Sequence, residues 1–284
     1  MTRQKRPATT RSYHERVLRS LVEIERDPAK PLALEALARE AFLSAFHFHR
    51  IFSALVGEGP AEYQRRLRLE QAAHDLALSK DTIERIAKRA GYARQESFTR
   101  AFRARFGLTP SAFRAEHRGK WAQSPSGESR HGRVEVVPPL RVAFIRHVGP
   151  YEGVPAQFDR LARWAAAAGG QMRDAAPLFL GMAHDNPALT PPEKLRFDCC
   201  VAISADVRRG GGEIGVATVL GARYAVAVHR GTFSTLATTY RWLARDYLLK
   251  EGLVLRRAPA VELYLTPPDV EATDGLTEVL LPVD

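Results

Sequence analysis

The sequence predicts two domains of different fold class: an all-α tandem helix-turn-helix domain, then an α+β domain made of a duplicated strand-helix-strand unit. Apolar residues recur at helical spacing before residue 119, and short β-branched segments dominate after residue 132. Each part also repeats itself along the chain. Because the stretch 119–132 is rich in Ser, Gly and Pro, we interpret it as a linker between domains 10–118 and 133–284.

The overall composition is that of a folded globular protein. The 284 residues are 45% apolar and 26% charged, which is enough apolar material for two cores. The two cysteines, Cys199 and Cys200, are adjacent and cannot staple a chain of this length. No apolar run approaches the roughly 20 residues of a membrane span, and the first ten residues contain no apolar signal segment. We therefore expect a cytoplasmic protein with no membrane partner.

The positive charge is concentrated in the first domain. The formal net charge of the chain is +10, from 42 basic and 32 acidic residues. Residues 1–118 hold 23 basic and 14 acidic side chains, a surplus of 9, whereas residues 133–284 hold 17 of each. A basic part joined to a neutral part favours contact of the first part with a polyanion.

The N-terminal repeat predicts two helix-turn-helix units. The residues Leu37, Ala38 and Ala41 recur 49 positions later, and Arg50, Phe52, Gly57, Pro60 and Tyr63 recur 50 positions later as Arg100, Phe102, Gly107, Pro110 and Phe113. Residues 62–78, rich in helix formers, should form a helix that holds the two units at a fixed separation. A helix-turn-helix unit is suited to inserting its second helix into the major groove of DNA.

The second helix of the first unit has one apolar and one polar side. Ser44 is a candidate N-cap and Gly57 a candidate left-handed C-cap. The spacing turns Phe48, Ile51, Phe52 and Leu55 towards the core. The outward residues are then Phe46, His49, Arg50 and Ser53. A metal site at His47 and His49 is rejected because side chains two positions apart on a helix point to different sides.

The second unit follows the same pattern. Asp81 and Glu84 stand at capping-box spacing, and Gly91 allows a close turn between helices. Thr109 and Pro110 predict the start of a last short helix. The outward side chains of the second helix are Gln95, Glu96, Thr99, Arg100 and Arg103. Gln and Arg can make paired hydrogen bonds to adenine and guanine edges.

Residues 10–118 resemble the tandem helix-turn-helix domain of AraC/XylS-type transcription regulators. The matching motifs are SAFHFHRIF with GEGPAEY, and IAKRAGY with SFTRAFRARFGLTPSAFR. The resemblance implies that bases are approached by Phe46, His49 and Arg50 in the first helix and by Gln95, Glu96 and Arg100 in the second. His49 and Glu96 stand where some relatives carry Gln, so the operator sequence does not transfer.

The C-terminal domain shows strands, helices and a second internal repeat. Strands are predicted at 141–148, 196–203, 222–229 and 261–265, and helices at 154–168 and 236–250. The residues Arg141, His147, Gly149, Tyr151, Phe158 and Leu161 recur 82 positions later as Arg223, His229, Gly231, Phe233, Tyr240 and Leu243. A duplicated unit would create a cleft around its pseudo-twofold axis, which is a common place for a ligand.

Glu262 is the most distinctive candidate for ligand binding. On a strand, Glu262, Tyr264 and Thr266 share one side and Val261, Leu263 and Leu265 the other. A carboxylate beside an aromatic ring is suited to a hydrophobic cation. The alternative from the residues alone is an ordinary glutamate on a solvated sheet face.

Residues 133–284 look like the GyrI-like effector-binding domain. The motifs are HVGPY, GMAHDNP, RFDCC, HRGTF and VELYL, in that order. The resemblance implies that the acid matching Glu262 lies in a pocket for lipophilic, often cationic, compounds. Candidate aromatic walls are Tyr151, Trp242 and Tyr264. A DNA reader followed by this domain is the domain order of the Rob type of regulator.

These patterns together favour a ligand-responsive transcription regulator. The expected partners are double-stranded promoter DNA, a small lipophilic ligand and RNA polymerase, and the absence of coiled-coil heptads favours a monomer. No cofactor and no metal are indicated. One alternative is an enzyme, because some GyrI-like domains hydrolyse electrophilic toxins and Glu262 with Tyr264 could activate a water molecule. A ligand scavenger or gyrase-associated protein is the other.

Overall fold

The computed structural model of the chain describes residues 7–120, 131–167, 177–205, 207–208, 210–256, 258–266 and 275–284. Side chains within these ranges are described except at residues 7–12, 78, 118–120 and 220. The chain forms two compact units that divide after Lys120. Most of the proposed linker, residues 121–130, lies outside the described residues. Within the described ranges no helix is both long and apolar enough to cross a membrane.

The first unit is helical. Its helices are α1 (Pro7–Arg26), α2 (Leu34–Glu40), α3 (Ala45–Val56), α4 (Pro60–Leu78), α5 (Ile83–Arg89), α6 (Gln95–Phe106) and α7 (Pro110–Lys120). The pairs α2–α3 and α5–α6 are the two predicted helix-turn-helix units, and α4 is the predicted long connecting helix. The helical class of this region is therefore confirmed.

The ends of α3, α5 and α7 follow local capping signals, whereas α2 and α6 begin without a side-chain cap. The Ser44 hydroxyl accepts a hydrogen bond from the His47 amide at 3.3 Å, as an N-cap does. Gly57 ends α3 at a φ of 81°, and Thr109 caps α7 through the Ala112 amide. The predicted capping box at Asp81 is wrong, because α5 starts one residue later and its N-cap is Thr82.

Phenylalanine side chains form the centre of each helix-turn-helix unit. In the first unit Phe48 and Phe52 are fully buried, with Tyr63 of α4 edge-on to Phe52 at 5.7 Å between ring centroids. In the second unit Phe98 and Phe102 are fully buried, and Phe113 of α7 lies edge-on to Phe102 at 5.3 Å. The apolar sides of α3 and α6 therefore face inward, which turns their polar sides outward. The prediction for Leu55 is wrong, because this residue near the end of α3 is 37% exposed.

The second unit contains a closed, wholly antiparallel barrel. Its described strands are β1 (Gly132–Val148), β2 (Phe179–Ala183), β3 (Arg196–Ala202), β4 (Ile214–Arg230), β5 (Ala260–Tyr264) and β6 (Leu276–Pro282). Their order around the barrel is β1, β3, β2, β5, β6, β4, and β4 pairs with β1 to close it. All four predicted strands are present, so the sheet-and-helix class is confirmed. The strands β2 and β6 were not predicted.

Two helical segments cover the outside of the barrel. The first is α8 (Val154–Ala167), and the second runs from α9 (Leu236–Arg241) through a π-helical turn (Trp242–Tyr247) to α10 (Leu248–Lys250). The segment α8 packs on β1 and β3, whereas the second segment packs on β4 and β6. The strand β5 lies between these two covered regions, because its neighbours in the barrel are β2 and β6.

Beside β1 and β3 lies a buried group of charged side chains. Arg146 donates two hydrogen bonds to Asp198, at 2.7 and 2.8 Å, and His184 lies 2.8 Å from the same carboxylate. Burial alone would raise the pKa of Asp198, but Arg146 and His184 hold it well below its ordinary value. Asp198 is therefore ionised and paired, which is how a protein tolerates a buried charge.

Candidate DNA-reading surface and effector site

The helices α3 and α6 present equivalent outward surfaces. Each helix has 12 residues, and each ends at a glycine in the left-handed conformation, Gly57 or Gly107. The sixth residue of each helix is an exposed arginine, Arg50 or Arg100. Of the other predicted DNA-contacting residues, Thr99 is half-buried, and those that are exposed are Phe46, His49, Gln95, Glu96 and Arg103. The two helices thus present an exposed arginine at the same position, whereas their other outward residues differ.

The outward arginines of these two helices have no acidic partner among the residues that the structure describes. This holds for Arg50, Arg100 and Arg103. Some basic residues elsewhere in the same unit are paired: Lys88 lies 3.0 Å from Glu84, and Arg105 lies 2.9 Å from Glu70. Unpaired guanidinium groups carry five donors each and suit phosphate and guanine acceptors.

Two outward positions of α3 are less open than their spacing predicts. The His49 ring lies against Gly59, where an added Cβ would come within 3.1 Å of its Nε2. The Ser53 hydroxyl oxygen is buried, and the structure gives it no hydrogen-bond partner. The freest outward residues of α3 are therefore Phe46, whose side chain is 79% exposed, and Arg50.

A chain of four charged side chains connects α4 to both helix-turn-helix units. Arg66 of α4 pairs with Glu58, just after α3, at 2.7 Å and with Glu70 at 3.1 Å. Glu70 in turn accepts a hydrogen bond from Arg105 of α6 at 2.9 Å. Arg66, Glu58 and Glu70 are at most 10% exposed. This ion chain fixes α3 and α6 to the same connecting helix.

In the second unit, Glu262 is a buried carboxylate held by two phenols. The Tyr240 hydroxyl donates to its Oε1 at 2.9 Å, and the Tyr264 hydroxyl donates to its Oε2 at 2.8 Å. Glu262 is 7% exposed, and no basic side chain among the described residues pairs with it. The alternative of a solvated surface glutamate is therefore wrong, although Glu262 and Tyr264 share a strand face as predicted.

Aromatic rings from two parts of the second unit pack on Tyr264, the phenol that donates to this carboxylate. Phe158 of α8 lies edge-on to Tyr264 at 5.4 Å, and Phe233, ahead of α9, does so at 5.6 Å. Gly181 of β2 is opposite Glu262 in the strand pairing. A Cβ there would lie 2.7 Å from the Tyr264 hydroxyl oxygen, so glycine leaves the room that this phenol occupies.

The ionisation of these groups follows from burial. Burial raises the pKa of Glu262, while the hydrogen bonds from Tyr264 and Tyr240 oppose that rise. Burial and the neighbouring carboxyl raise the pKa values of Tyr240, Tyr264 and Tyr151 above the ordinary phenol value. The phenols are therefore hydrogen-bond donors at neutral pH. An uncompensated carboxylate at this position favours the approach of a positive charge.

The predicted aromatic walls have different surroundings. Tyr264 contacts Glu262 directly, and Tyr151 is half-buried with its ring 5.8 Å from Phe197. Trp242 lies on the π-helical turn, with its ring 5.5 Å from that of Tyr247. Two positions on a helix separate Trp242 from Tyr240 by about 200° of rotation. Its place in an effector site stays a prediction.

Tyr240 is the site residue that the sequence interpretation missed. Its hydroxyl contacts the carboxylate of a strand that begins 20 residues later in the chain, so no local spacing reveals it. One signal was available: the 82-residue repeat matches Tyr240 with Phe158, and both side chains lie against the Glu262–Tyr264 pair. No group of three possible metal ligands occurs in the ranges that the structure describes.

Comparison with known proteins finds a family match for each of the two parts of the chain. The profile of the GyrI-like small molecule binding domain matches residues 133–284, and that of a helix-turn-helix domain matches residues 37–116. The Tn10 TetD protein of Escherichia coli is 37% identical over 105 residues, which is 37% of this chain and 76% of that protein. The probable transcriptional regulator YgiV of E. coli is 29% identical over 147 residues, covering 52% of this chain and 88% of that protein.

A third relative is matched over a shorter span. The HTH-type transcriptional regulator Rv1931c of Mycobacterium tuberculosis is 41% identical over 78 residues, which is 28% of this chain. That match spans only 30% of the relative's own length. Its similarity therefore concerns one part of each protein.

Proposed function

Because the chain belongs to the family with a GyrI-like small molecule binding domain and carries an AraC-type helix-turn-helix domain ahead of it, we propose that it is a sequence-specific transcription regulator. In this proposal α3 and α6 read promoter DNA, and the barrel around Glu262 binds a small lipophilic cation. We place the DNA-binding domain at residues 10–118 and the effector domain at 133–284, and we interpret the latter as a duplicated strand-helix-strand unit. RNA polymerase is the expected protein partner.

The matched arginines Arg50 and Arg100 are the observation that carries the DNA-binding half. Both are exposed and unpaired within the described part of the chain, and both occupy the sixth position of a helix that follows a tight turn. The surplus of positive charge lies in the same 118 residues. A guanidinium group in the major groove makes paired hydrogen bonds to guanine, and surrounding basic residues supply sequence-independent attraction to phosphates.

The buried carboxylate of Glu262, which has no basic partner in the described part of the chain, carries the effector half. Burying a carboxylate without a counter-charge costs free energy, which a bound cation would recover. The aromatic rings of Tyr264 and Phe158 would contact the apolar body of such a ligand. Since Glu262 is only 7% exposed, a ligand reaches it by displacing side chains that cover it. Binding would therefore favour a conformation in which these covering side chains have moved. A ligand can act as a regulatory signal only if it binds two conformations unequally.

The DNA-binding half is tested with the purified full chain and a randomised duplex library. Enrichment of a defined sequence is expected, and Arg100→Ala should weaken binding to that sequence by about 1–3 kcal/mol through one base position. Arg163→Ala, an exposed arginine of α8 in the second unit, is the matched control and should bind like the parent. Failure to enrich any sequence would favour the scavenger alternative.

The effector half is tested by thermal melting with a panel of lipophilic cations. A ligand of the folded state raises the melting temperature by mass action, about 2.7 kcal/mol of stabilisation at 100 times the dissociation constant. The Glu262→Gln variant keeps the shape of the side chain and should lose the response. If no cation shifts the melting temperature and an electrophilic compound is turned over instead, the hydrolase alternative replaces the effector proposal.

A further inference from the structure

The two reading helices differ at several equivalent outward positions, and the second residue of each helix is the one with the strongest contrast in chemistry. Phe46 and Glu96 are both the second residue of their helix, and Arg50 and Arg100 are both the sixth. The buried residues also correspond, since Phe48 and Phe98 are each the fourth residue. The same backbone position therefore carries an exposed aromatic ring in α3 and an exposed carboxylate in α6.

The Phe46 ring lies in the first turn of α3 and is 79% exposed. The first turn of a recognition helix is the part that meets base edges in the major groove. There the thymine 5-methyl group is the apolar feature that a phenylalanine side chain contacts. An aromatic ring kept this exposed loses its unfavourable hydration when it covers such a methyl group.

Glu96 is unusual on a surface that meets DNA. Its carboxylate has no basic partner among the described residues, and Arg100, one turn later, does not pair with it. Phosphates would repel this charge, so its contact with DNA must be to a hydrogen-bond donor. The cytosine N4 amino group is the major-groove donor that acidic side chains accept from.

We propose that α3 and α6 specify different half-sites, with Phe46 selecting thymine and Glu96 selecting cytosine. Arg50 and Arg100 then select guanine in both half-sites. This inference rests on the proposed DNA-binding function and adds the bases that each helix reads. It also makes the operator asymmetric, because a direct repeat of one half-site would leave Phe46 or Glu96 on a mismatched base.

The first experiment compares selected sequences from a randomised duplex library for the parent chain and Glu96→Gln. Glutamine accepts from and donates to adenine as a pair of hydrogen bonds. The variant should therefore replace cytosine by adenine at one position of one half-site and leave every other preference unchanged. Glu251→Gln, which removes an exposed carboxylate from the second unit, is the matched control and should select the parent sequence.

The second experiment tests Phe46 with a change in the DNA alone. Replacing each thymine of the selected duplex by uracil in turn removes only a methyl group. In the half-site that α3 contacts, uracil at one position should lower the affinity of the parent chain by about fourfold. This is the effect expected for the loss of one buried methyl group. Phe46→Ala should bind the thymine and uracil duplexes equally. Unchanged melting temperatures verify that both variants are folded.

The outcomes separate this inference from the function on which it rests. If no sequence is enriched by the parent chain, the DNA-binding proposal fails. If a sequence is enriched but Glu96→Gln selects the same bases, or Phe46→Ala keeps the parent's sensitivity to uracil, DNA binding stands and the base assignment is overturned. Two identical half-sites would also overturn it.

Discussion

At Glu262, burial and hydrogen bonding act in opposite directions on one carboxyl group. Burial favours the protonated form and raises its pKa, whereas the phenols of Tyr240 and Tyr264 stabilise the ionised form. Burial prevails, so the folded protein holds a proton at this site more tightly than the unfolded chain does. Such a group lowers the free energy of unfolding when the pH rises above the pKa that the group has in the unfolded chain.

The raised pKa of Glu262 leads to a prediction for the stability of Glu262→Gln in the absence of ligand. The variant should unfold at a higher temperature than the parent at neutral pH, by roughly 2–4 °C for each kcal/mol of relief in a domain of this size. The gain should shrink as the pH falls and should disappear below the ordinary glutamate value of 4.5, where the folded and the unfolded parent are both protonated. Thermal melting between pH 4 and pH 8 measures it. A variant less stable than the parent at neutral pH would contradict it.

Asp198 provides a control, because its pKa is shifted in the opposite direction to that of Glu262. Its pKa is lowered by Arg146 and His184 despite burial, so its ionised form stabilises the fold above the ordinary carboxyl value and loses that effect as the pH falls. Asp198→Asn should therefore lower the free energy of unfolding at neutral pH by about 3 kcal/mol. The same melting series measures it, and equal responses of the two variants would show that burial alone decides the sign.

Single residues were predictable from the sequence where the information is local. The side of the strand shared by Glu262 and Tyr264 follows from alternation, and the N-cap role of Ser44 follows from its place before an apolar stripe. The bond from Tyr240 to Glu262 depends on how a helix lies over a barrel, and pairwise spacing holds no information about that. The exposure of Glu262 was unpredictable for the same reason.

Among the elements, α4 is fixed to both reading helices by the ion chain of Glu58, Arg66, Glu70 and Arg105. Glu70 is its central link, because it accepts from both arginines. A buried chain of this kind holds a defined geometry more firmly than exposed pairs, which contribute little and exchange with water. The separation of α3 and α6 therefore depends on Glu70.

Replacing the central carboxylate should loosen this arrangement. Glu70→Gln leaves Arg105 without its carboxylate partner and should lower the free energy of unfolding by about 2 kcal/mol, the loss of a hydrogen bond to a charged group. The matched control is Glu84→Gln, whose pair with Lys88 is exposed and should contribute under about 0.5 kcal/mol. Urea unfolding of the full chain compares them, and equal losses would contradict a special role for the buried chain.

The turns of the two helix-turn-helix units solve the same steric problem differently. Phe42 and Gly91 precede α3 and α6 at equivalent places, with φ angles of 54° and 78°. A side chain in this conformation costs about 1–2 kcal/mol, which glycine avoids. Phe42 is 80% exposed, so it meets no crowding there. At Gly91 an added Cβ would come within 3.1 Å of the Ala29 carbonyl oxygen.

Gly91→Ala should therefore destabilise the protein through both conformation and crowding. Gly57→Ala provides the comparison, because Gly57 has a similar φ of 81° and nothing lies within 4 Å of the added Cβ. We expect a loss of about 1 kcal/mol for Gly57→Ala from conformation alone and a larger loss for Gly91→Ala. Chemical unfolding gives both values, and a smaller loss at Gly91 would show that the neighbouring backbone moves away freely.

The elements that the sequence predicted are those whose signal is continuous in the chain. The helices α3 and α6 each have an apolar stripe and a terminal glycine, and α3 also begins at the N-cap Ser44. The strands β2 and β6 lack such signals: β2 has five residues with a central glycine, and β6 ends in a proline. Their strand conformation follows from pairing with distant partners in the barrel, which only the closed topology reveals.

Across the whole molecule, charge and function divide along the chain. Residues 1–118 carry a surplus of nine positive charges and residues 133–284 carry none. If the first part alone meets DNA, counterion release and therefore salt dependence originate there. Arg103, exposed and unpaired within the described residues, lies in α6 three positions beyond Arg100, the residue that we propose contacts a base. We assign Arg103 to the phosphate backbone, where it positions the helix without selecting a base.

Arg103→Ala should then weaken binding to every duplex by a similar factor and reduce the slope of log affinity against log salt by about one unit. Arg100→Ala, in contrast, should change base preference at one position and leave that slope nearly unchanged. Arg163→Ala in the neutral second unit should change neither quantity, which makes it the matched control. All three variants are measured by titrating one labelled duplex between about 50 and 200 mM salt. Added salt strongly weakens binding through phosphate contacts over this range.

One result would contradict the inference from the charge distribution. If Arg163→Ala reduces the slope as much as Arg103→Ala does, the second unit also contacts the phosphates.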